Sequence, residues 1–392
     1  MTFDKKKMNP GEQNFYTTDF DRDAIDVSKY LVTGKQAAIK ADAIIQEEMS
    51  GEQIGLKTRW SAVNKAMLKY FRFKQTTIIG GMSGSGKSYI LNMLRNDFLD
   101  CQDLEFGSID DLIYVGDEKY SLSIGDDQVF RDSRLGIKPD GTVYRKALNA
   151  NAKYKPVIIH IGPEMPPEDE YIRSASNIMG CSYAYLLSAD HTKGKYNRLT
   201  EQEHKTFRRI MNILQENRPE YHYTVPPTVD GLIHLVEKVC NNHPDRKPVV
   251  SIDHSLLMRR PAGQSEGESI YRLALACIYI RETFDAIVIP LHQLNGYIES
   301  TERKQSVDGH YPVKTDLYFG GQIWWAADNV FIGHQPHKLG IERYGHGGLS
   351  TENLYHFPCL KSRRGVPGNI WMKQDLAHGR VFEVERNEFI ES

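Results

Sequence analysis

Cysteine is scarce: Cys101, Cys181, Cys240, Cys277 and Cys359 are the only five in 392 residues, an odd number with no CxxC pair. That excludes a disulfide framework and a zinc site of the usual spacing, and it fits a reducing cytosol. No apolar run approaches the roughly 18 residues that cross a bilayer, and the start MTFDKKKMNPGEQNF has no apolar stretch behind its lysines, so neither export nor a membrane partner is expected. An excess of charge of one sign is lacking too. Lys plus Arg number 49 against 51 Asp plus Glu, for a formal charge of -2, so any surface for phosphate must be local. There is no internal repeat and no low-complexity tract. The 14 histidines form no HxxxH or HExxH arrangement, and no second metal site is expected.

What is present is enough for one large domain or two modest ones: 40% hydrophobic and 10% aromatic residues over an ordinary charged surface. In the polar first 50 residues only Gln36 to Met49 carries a helical stripe, Ala38, Ala41, Ile45 and Met49. One amphipathic helix cannot bury its apolar face alone, so this one is expected to dock on the body or on a neighbouring subunit. From Gln75 the rhythm changes to short β-branched runs at Thr76–Ile79, Pro156–Ile161, Pro248–Asp253 and Ala286–Leu291. Helical patterns precede or separate them at Ser88–Phe98, Glu168–Met179, Thr200–Glu216, Thr228–Cys240 with Thr228 as N-cap, and Ser269–Phe284. This alternation predicts an α/β domain with a mainly parallel sheet. Residues 101–155, with the acidic segment Glu118 to Gly136, read as an insertion. Residues 333–351 read as a polar loop between late strands, and Leu354–Leu360 and Asn369–Met372 as the strands that close the chain.

The octet Gly81-Met82-Ser83-Gly84-Ser85-Gly86-Lys87-Ser88 matches G-x-x-x-x-G-K-[ST] between a strand and a helix. Such an octet arises by chance in roughly one or two chains in a hundred of this length. Its glycines let backbone N–H groups curl around phosphates at the positive end of the helix; Lys87 bridges the β- and γ-phosphates, and the Ser88 hydroxyl ligates Mg²⁺. The pattern therefore points to ATP and Mg²⁺ as cofactors. A metal-supporting carboxylate belongs at the end of a neighbouring strand, where Asp253 stands. Glu164, just past Pro156–Ile161, is placed to polarise an attacking water, with Glu118 next in rank. Gln293, after the fourth strand, is placed to sense the γ-phosphate.

Over roughly residues 52–386 the chain resembles the RecA-like ATPase domain of DnaB-type replicative helicases. Ile158 to Met165 is similar to that family's strand ending in S-L-E-M, whose glutamate is the catalytic base, and Leu199-Thr200-Glu201 to its L-T-x-x-[DE] helix start. Ile252 to Met258 resembles I-D-Y-L-Q-L-M, and Leu291 to Asn295 resembles S-Q-L-N. Thr315 to Leu317 with Ala327 to Val330 parallels S-D-L and D-A-D-V, and Lys361 to Gly365 parallels K-Q-R-N-G. The resemblance implies an α/β fold, a RecA-like P-loop NTPase core whose mainly parallel sheet is flanked by helices. It implies an N-terminal arm and linker helix over 1–50 and an ATPase domain over 51–392 with an insertion at about 101–155. It further implies that Lys361 and Arg363 reach the γ-phosphate held by the adjacent subunit. Two departures stand out: the loop lacks the family's S-M-G-K-T ending, and D-L-R-E-S-G is here Asp316-Leu317-Tyr318-Phe319-Gly320-Gly321. With only about 50 residues before the core, the family's folded N-terminal domain is expected to be absent, as in reduced phage-type forms that work in a bacterial host's cytoplasm.

The function implied is an ATP-dependent helicase that moves on single-stranded DNA as a homo-hexameric ring, with primase and other replisome proteins as candidate partners. Met258 to Ser269, with Arg259 and Arg260, and Gly296 to Lys314, with Arg303 and Lys304, are the segments expected to face the strand. Trp324-Trp325 reads as core packing. Two other functions share the same core: a RecA- or KaiC-like ATP-switched ring or filament that does not unwind, and a phage packaging ATPase. The latter normally carries a nuclease domain after the motor, and this chain ends at Ser392.

Overall fold

The computed structural model describes residues 31–108, 135–179, 181–187, 199–216, 218–376 and 380–390; residues 1–30 of the arm and linker helix expected over 1–50, Glu118 and most of the acidic part of the insertion lie outside them. Among the described residues seven strands form the central sheet: β1 (Gln75–Gly81), β2 (Pro156–Ile161), β3 (Glu220–Tyr223), β4 (Lys247–Ile252), β5 (Ile287–Gln293), β6 (Asn329–Gly333) and β7 (Cys359–Ser362). Their order is β7-β6-β1-β5-β4-β2-β3, and every pairing is parallel except that of β7 with β6. The mainly parallel sheet read from the β-branched runs is present.

Side chains that alternate along these strands bury themselves on both faces. On one face Ile79, Ile158, Val249, Ile289 and Leu291 pack against Ile90, Leu91, Leu94 and Phe98 of α2 (Lys87–Leu99). On the other, Val157, Ile159, Val250 and Val288 meet α5 (Val229–Asn242) and α6 (Glu266–Thr283) through Leu232, Val236, Leu273 and Cys277. Thr228 caps α5, its hydroxyl accepting from the Gly231 N–H. The start of α6 lies three residues before the expected one: Ser265 and Glu268 form a reciprocal capping box that fixes it at Glu266. α3 (Pro167–Met179) and α4 (Glu201–Glu216) build a separate small cluster around Met179, Ile210 and Leu214.

The leading helix α1 (Gly34–Met49) is closed by a Thr33–Gln36 capping box and has no buried residue. Its last turn is tied to the body by Glu48 on Arg72 and Lys69 and by Glu47 on Lys153, while Ile39, Ile45 and Met49 remain exposed.

Three expectations need correction. Leu354–Leu360 is not one strand: Leu354–His356 joins a separate antiparallel sheet with Trp371–Asp375 and Arg380–Glu383, Phe357-Pro358 breaks the run, and only β7 enters the central sheet. Asn369–Met372 moves accordingly to Trp371–Asp375. Residues 333–351 are no simple polar loop, because Ile341, Tyr344 and Leu349 are buried in a core of their own beneath a short hairpin.

Candidate active site at the carboxyl edge of the sheet

Gly81 ends β1, and the loop to Ser88 runs directly into α2. Gly84 and Gly86 hold φ of +70° and +81°, the left-handed region where a side chain is strained. A Cβ on Gly81 would lie 2.3 Å from Ser85 Oγ and 2.9 Å from the Gly333 carbonyl, so the cradle closes only around glycine. Inside it, the Ser85 hydroxyl is buried without a hydrogen-bond partner. Met82 and Ser83 complete the turn, Ser83 exposed at its tip. The Lys87 ammonium donates to the carbonyls of Gly81 (2.8 Å) and Met82 (2.7 Å). Burial pushes its pKa down to about 8, and Asp253 and Glu164 pull it back up. These features fit a bound polyphosphate, whose charge would meet the free N–H groups at the start of α2.

Asp253 follows β4, its N–H donating to the Ile161 carbonyl at 2.8 Å. Its carboxyl is hydrogen-bonded to Ser88, while burial foremost, then Glu164 and Glu170, push its pKa up to about 6. A buried carboxylate beside a hydroxyl is a hard-oxygen donor pair suited to Mg²⁺, which takes one or two protein ligands and completes its shell with phosphate and water. Among the described residues no cluster of three His, Cys, Asp or Glu offers a fuller metal cage. Because the folded pKa lies above the unfolded value, this carboxyl favours folding only while protonated. That contribution is complete below about pH 4 and is lost as pH rises through about 6. Asp253→Asn should therefore raise stability at pH 8 by on the order of 1–3 kcal/mol, read by denaturant melts, while weakening Mg²⁺-dependent turnover; an Asn variant less stable than the parent at pH 8 would contradict the burial argument.

Glu164 lies three residues beyond β2, with Oε1 3.3 Å from Nε2 of His254. Burial lowers the pKa of His254 and Glu164 pulls it back up. Gln293, at the end of β5, is in register with Gly81. Four strand ends thus gather Lys87, Ser88, Asp253, Glu164 and Gln293 at one edge of the sheet, where ligands bind in open α/β folds.

Among the solved structures that share the fold are the following two. The ATPase domain of a phage DnaB-like helicase aligns with a TM-score of 0.63 at 15% identity, over 90% of this chain and all of that one. A DnaB-like replicative helicase, solved with its interactions with primase as the subject, aligns with a TM-score of 0.58 at 16% identity, over 88% of this chain and 67% of that one. The chain has the fold of a DnaB-type ATPase domain. No protein-family model and no curated protein matches it.

In this DnaB-type fold Lys361 and Arg363 stand apart from the other site residues. Val330 pairs with Ile78 on one side and with Lys361 on the other, whereas Gly333 pairs with Gly81. At about 3.3 Å per residue, Arg363 lies roughly 15 Å along the strands from Gly81, at the amino edge. The Lys361 ammonium donates to the Trp324 carbonyl (2.6 Å), and Arg363 donates to that of Trp325 (3.0 Å), both in the last turn of α7 (Gly320–Ala326). Arg363 also faces Asp328 at 3.4 Å, with half its side chain (51%) in solvent.

The segments expected to meet a strand divide. Arg259 and Arg260 are exposed. Arg303 is not free for that purpose, because its guanidinium binds Asp316 at 2.7 and 3.0 Å and the carbonyls of Gly309 and Tyr311, an anchor for the loop. Trp324 packs partly against the core, with Lys314 and Lys361 5.3 and 5.4 Å from its ring centre. Trp325 is 42% exposed and is not core, contrary to expectation.

Sequence reasoning missed three residues at the loop. His254 meets Glu164, Gln335 Nε2 donates to the Ser85 carbonyl (3.2 Å), and Lys338 donates to that of Gly84 (2.6 Å). Only His254 had a local signal, a titratable side chain next to Asp253; the other two reach the loop from 250 and 254 positions away.

Proposed function

We propose that the protein is an ATP-driven ring helicase acting on single-stranded DNA, each nucleotide site being completed by Lys361 and Arg363 of a neighbouring copy. The observation that carries this reading is the separation of charges: the phosphate cradle and its carboxylates occupy one edge of the sheet and the two cations the other. Lys87 and Lys338 stand at the cradle of their own chain, but Lys361 and Arg363 lie too far from it, so their charge meets a phosphate only where a second copy supplies them. The apolar stripe of α1, which no described residue buries, supports the same assembly, because another copy could bury it.

In the reaction Lys87 and the N–H groups of Gly84 to Ser88 hold the phosphates. Glu164 accepts a proton from the attacking water, oriented by His254, and Gln293 lies beside the γ-phosphate position. Mg²⁺, held by Ser88 and Asp253, would neutralise charge on the β- and γ-oxygens. Exposed Arg259 and Arg260, repeated around a ring, would provide phosphate contacts without a basic chain overall. Turnover should rise with added single-stranded DNA, and the rise should shrink as salt increases because phosphate contacts release counterions. Rates that stay flat, together with no strand separation on a forked duplex, would favour an ATP-switched ring that does not unwind.

A further inference from the structure

His292 is completely buried beside the proposed site, yet the chemistry outlined above does not use it. Both its ring nitrogens are engaged: Nε2 with the Tyr318 carbonyl, and Nδ1 with Ser255 Oγ at 2.8 Å. A carbonyl can only accept, so Nε2 carries the proton, Nδ1 is bare, and the Ser255 hydroxyl must donate. Burial pushes the pKa of His292 down to about 4, which keeps this single neutral tautomer at physiological pH. The ring therefore joins two elements in a fixed sense. Ser255 is two residues past Asp253, and Tyr318 opens the turn into α7.

That turn is gripped twice by consecutive residues of β5, since the Tyr318 N–H also donates to the Gln293 carbonyl at 3.0 Å. Gln293 is the residue in register with Gly81. One residue further on, Phe319 stands in the left-handed region with φ +48° and ψ +37°, 40% exposed, its ring 4.6 Å from that of Tyr318. The exposed Phe319 ring lies beside the half-buried Tyr318, whose hydroxyl donates to Glu266 at 3.2 Å, and with the exposed Arg260 it supplies the kinds of group on which single-stranded bases stack while cations hold phosphate.

We propose that His292 is a positioning residue that couples the nucleotide edge to strand contact at the Tyr318–Phe319 turn. The inference rests on the helicase reading. A shift of the Asp253–Ser255 segment on nucleotide binding is passed through Ser255, the imidazole and the Tyr318 carbonyl to Phe319, and strand contact at Phe319 travels back along the same bonds.

The test compares ATP turnover of the full chain with and without oligo(dT), in wild type, His292→Asn and His292→Gln. Asn reproduces an acceptor near Nδ1 for Ser255 but does not reach Tyr318; Gln extends a donor toward Tyr318. Couplings between sites commonly correspond to roughly 5–150-fold, so His292→Asn should lower the stimulation ratio on the order of tenfold with basal turnover nearly unchanged, and His292→Gln should recover part of it. A wild type that ignores oligo(dT) would sink the helicase reading and this proposal together. A stimulated wild type beside an equally stimulated Asn variant would sink the proposal alone. Equal loss of basal and stimulated turnover in both variants would also overturn it, because His292 would then serve hydrolysis or the fold itself.

Discussion

Replacing Arg363 with alanine is expected to lower ATP turnover on the order of 10³-fold, the scale of an arginine finger, while nucleotide affinity stays close to wild type. The reason is geometric. Arg363 sits at the amino edge of the sheet, held to the Trp325 carbonyl and facing Asp328, too far from its own cradle to touch a phosphate there. The transferring phosphoryl group gathers negative charge on its equatorial oxygens, and the cations that one chain brings to the Gly81 to Ser88 loop are lysines, Lys87 inside it and Lys338 on the Gly84 carbonyl, among the described residues. Losing a half-exposed arginine should disturb the fold little, so an unchanged melting temperature should accompany the loss. A variant with wild-type turnover would remove Arg363 from the mechanism.

The second large effect belongs to Glu164. Glu164→Gln should bind ATP as wild type does yet hydrolyse it roughly 10²–10⁴ times more slowly, because the amide keeps the shape of the base but cannot accept the proton. Lys87→Ala is the contrasting control: it removes the cation buried among Gly81, Met82 and the two carboxylates, and it should abolish turnover. Binding of a fluorescent nucleotide, measured beside single-turnover hydrolysis, separates the two variants. If Glu164→Gln hydrolyses at the wild-type rate, the base lies elsewhere.

How far these residues were legible in the sequence follows from how local their cause is. The cradle is eight consecutive residues whose glycines and lysine have one physical use, so Gly81 to Ser88 could be read without a fold. Asp253 and Glu164 were legible because each follows a strongly apolar strand. The edge strand Glu220–Tyr223 was missed: Glu-Tyr-His-Tyr has no apolar run, and its place comes from pairing with β2. Residues 333–351 were misread for a related reason. Their histidines, glycines and lysine look solvated, but His334 and Tyr344 are buried with His356, Tyr344 hydrogen-bonded to the His356 ring at 2.7 Å. Gln335 and Lys338 reach the cradle only because β6 lies beside β1. Arg303 looked free because its partner Asp316 is 13 positions away, across a loop that the guanidinium itself organises.

The claim that each site is shared between copies is tested most directly by mixing. Arg363→Ala chains keep an intact cradle and Lys87→Ala chains an intact arginine, so neither should hydrolyse ATP alone. Mixed assemblies of proven composition contain interfaces where the arginine of a Lys87→Ala chain faces the cradle of an Arg363→Ala chain, and turnover should return in proportion to the number of such interfaces. Mixed assemblies as inactive as either parent would contradict a shared site.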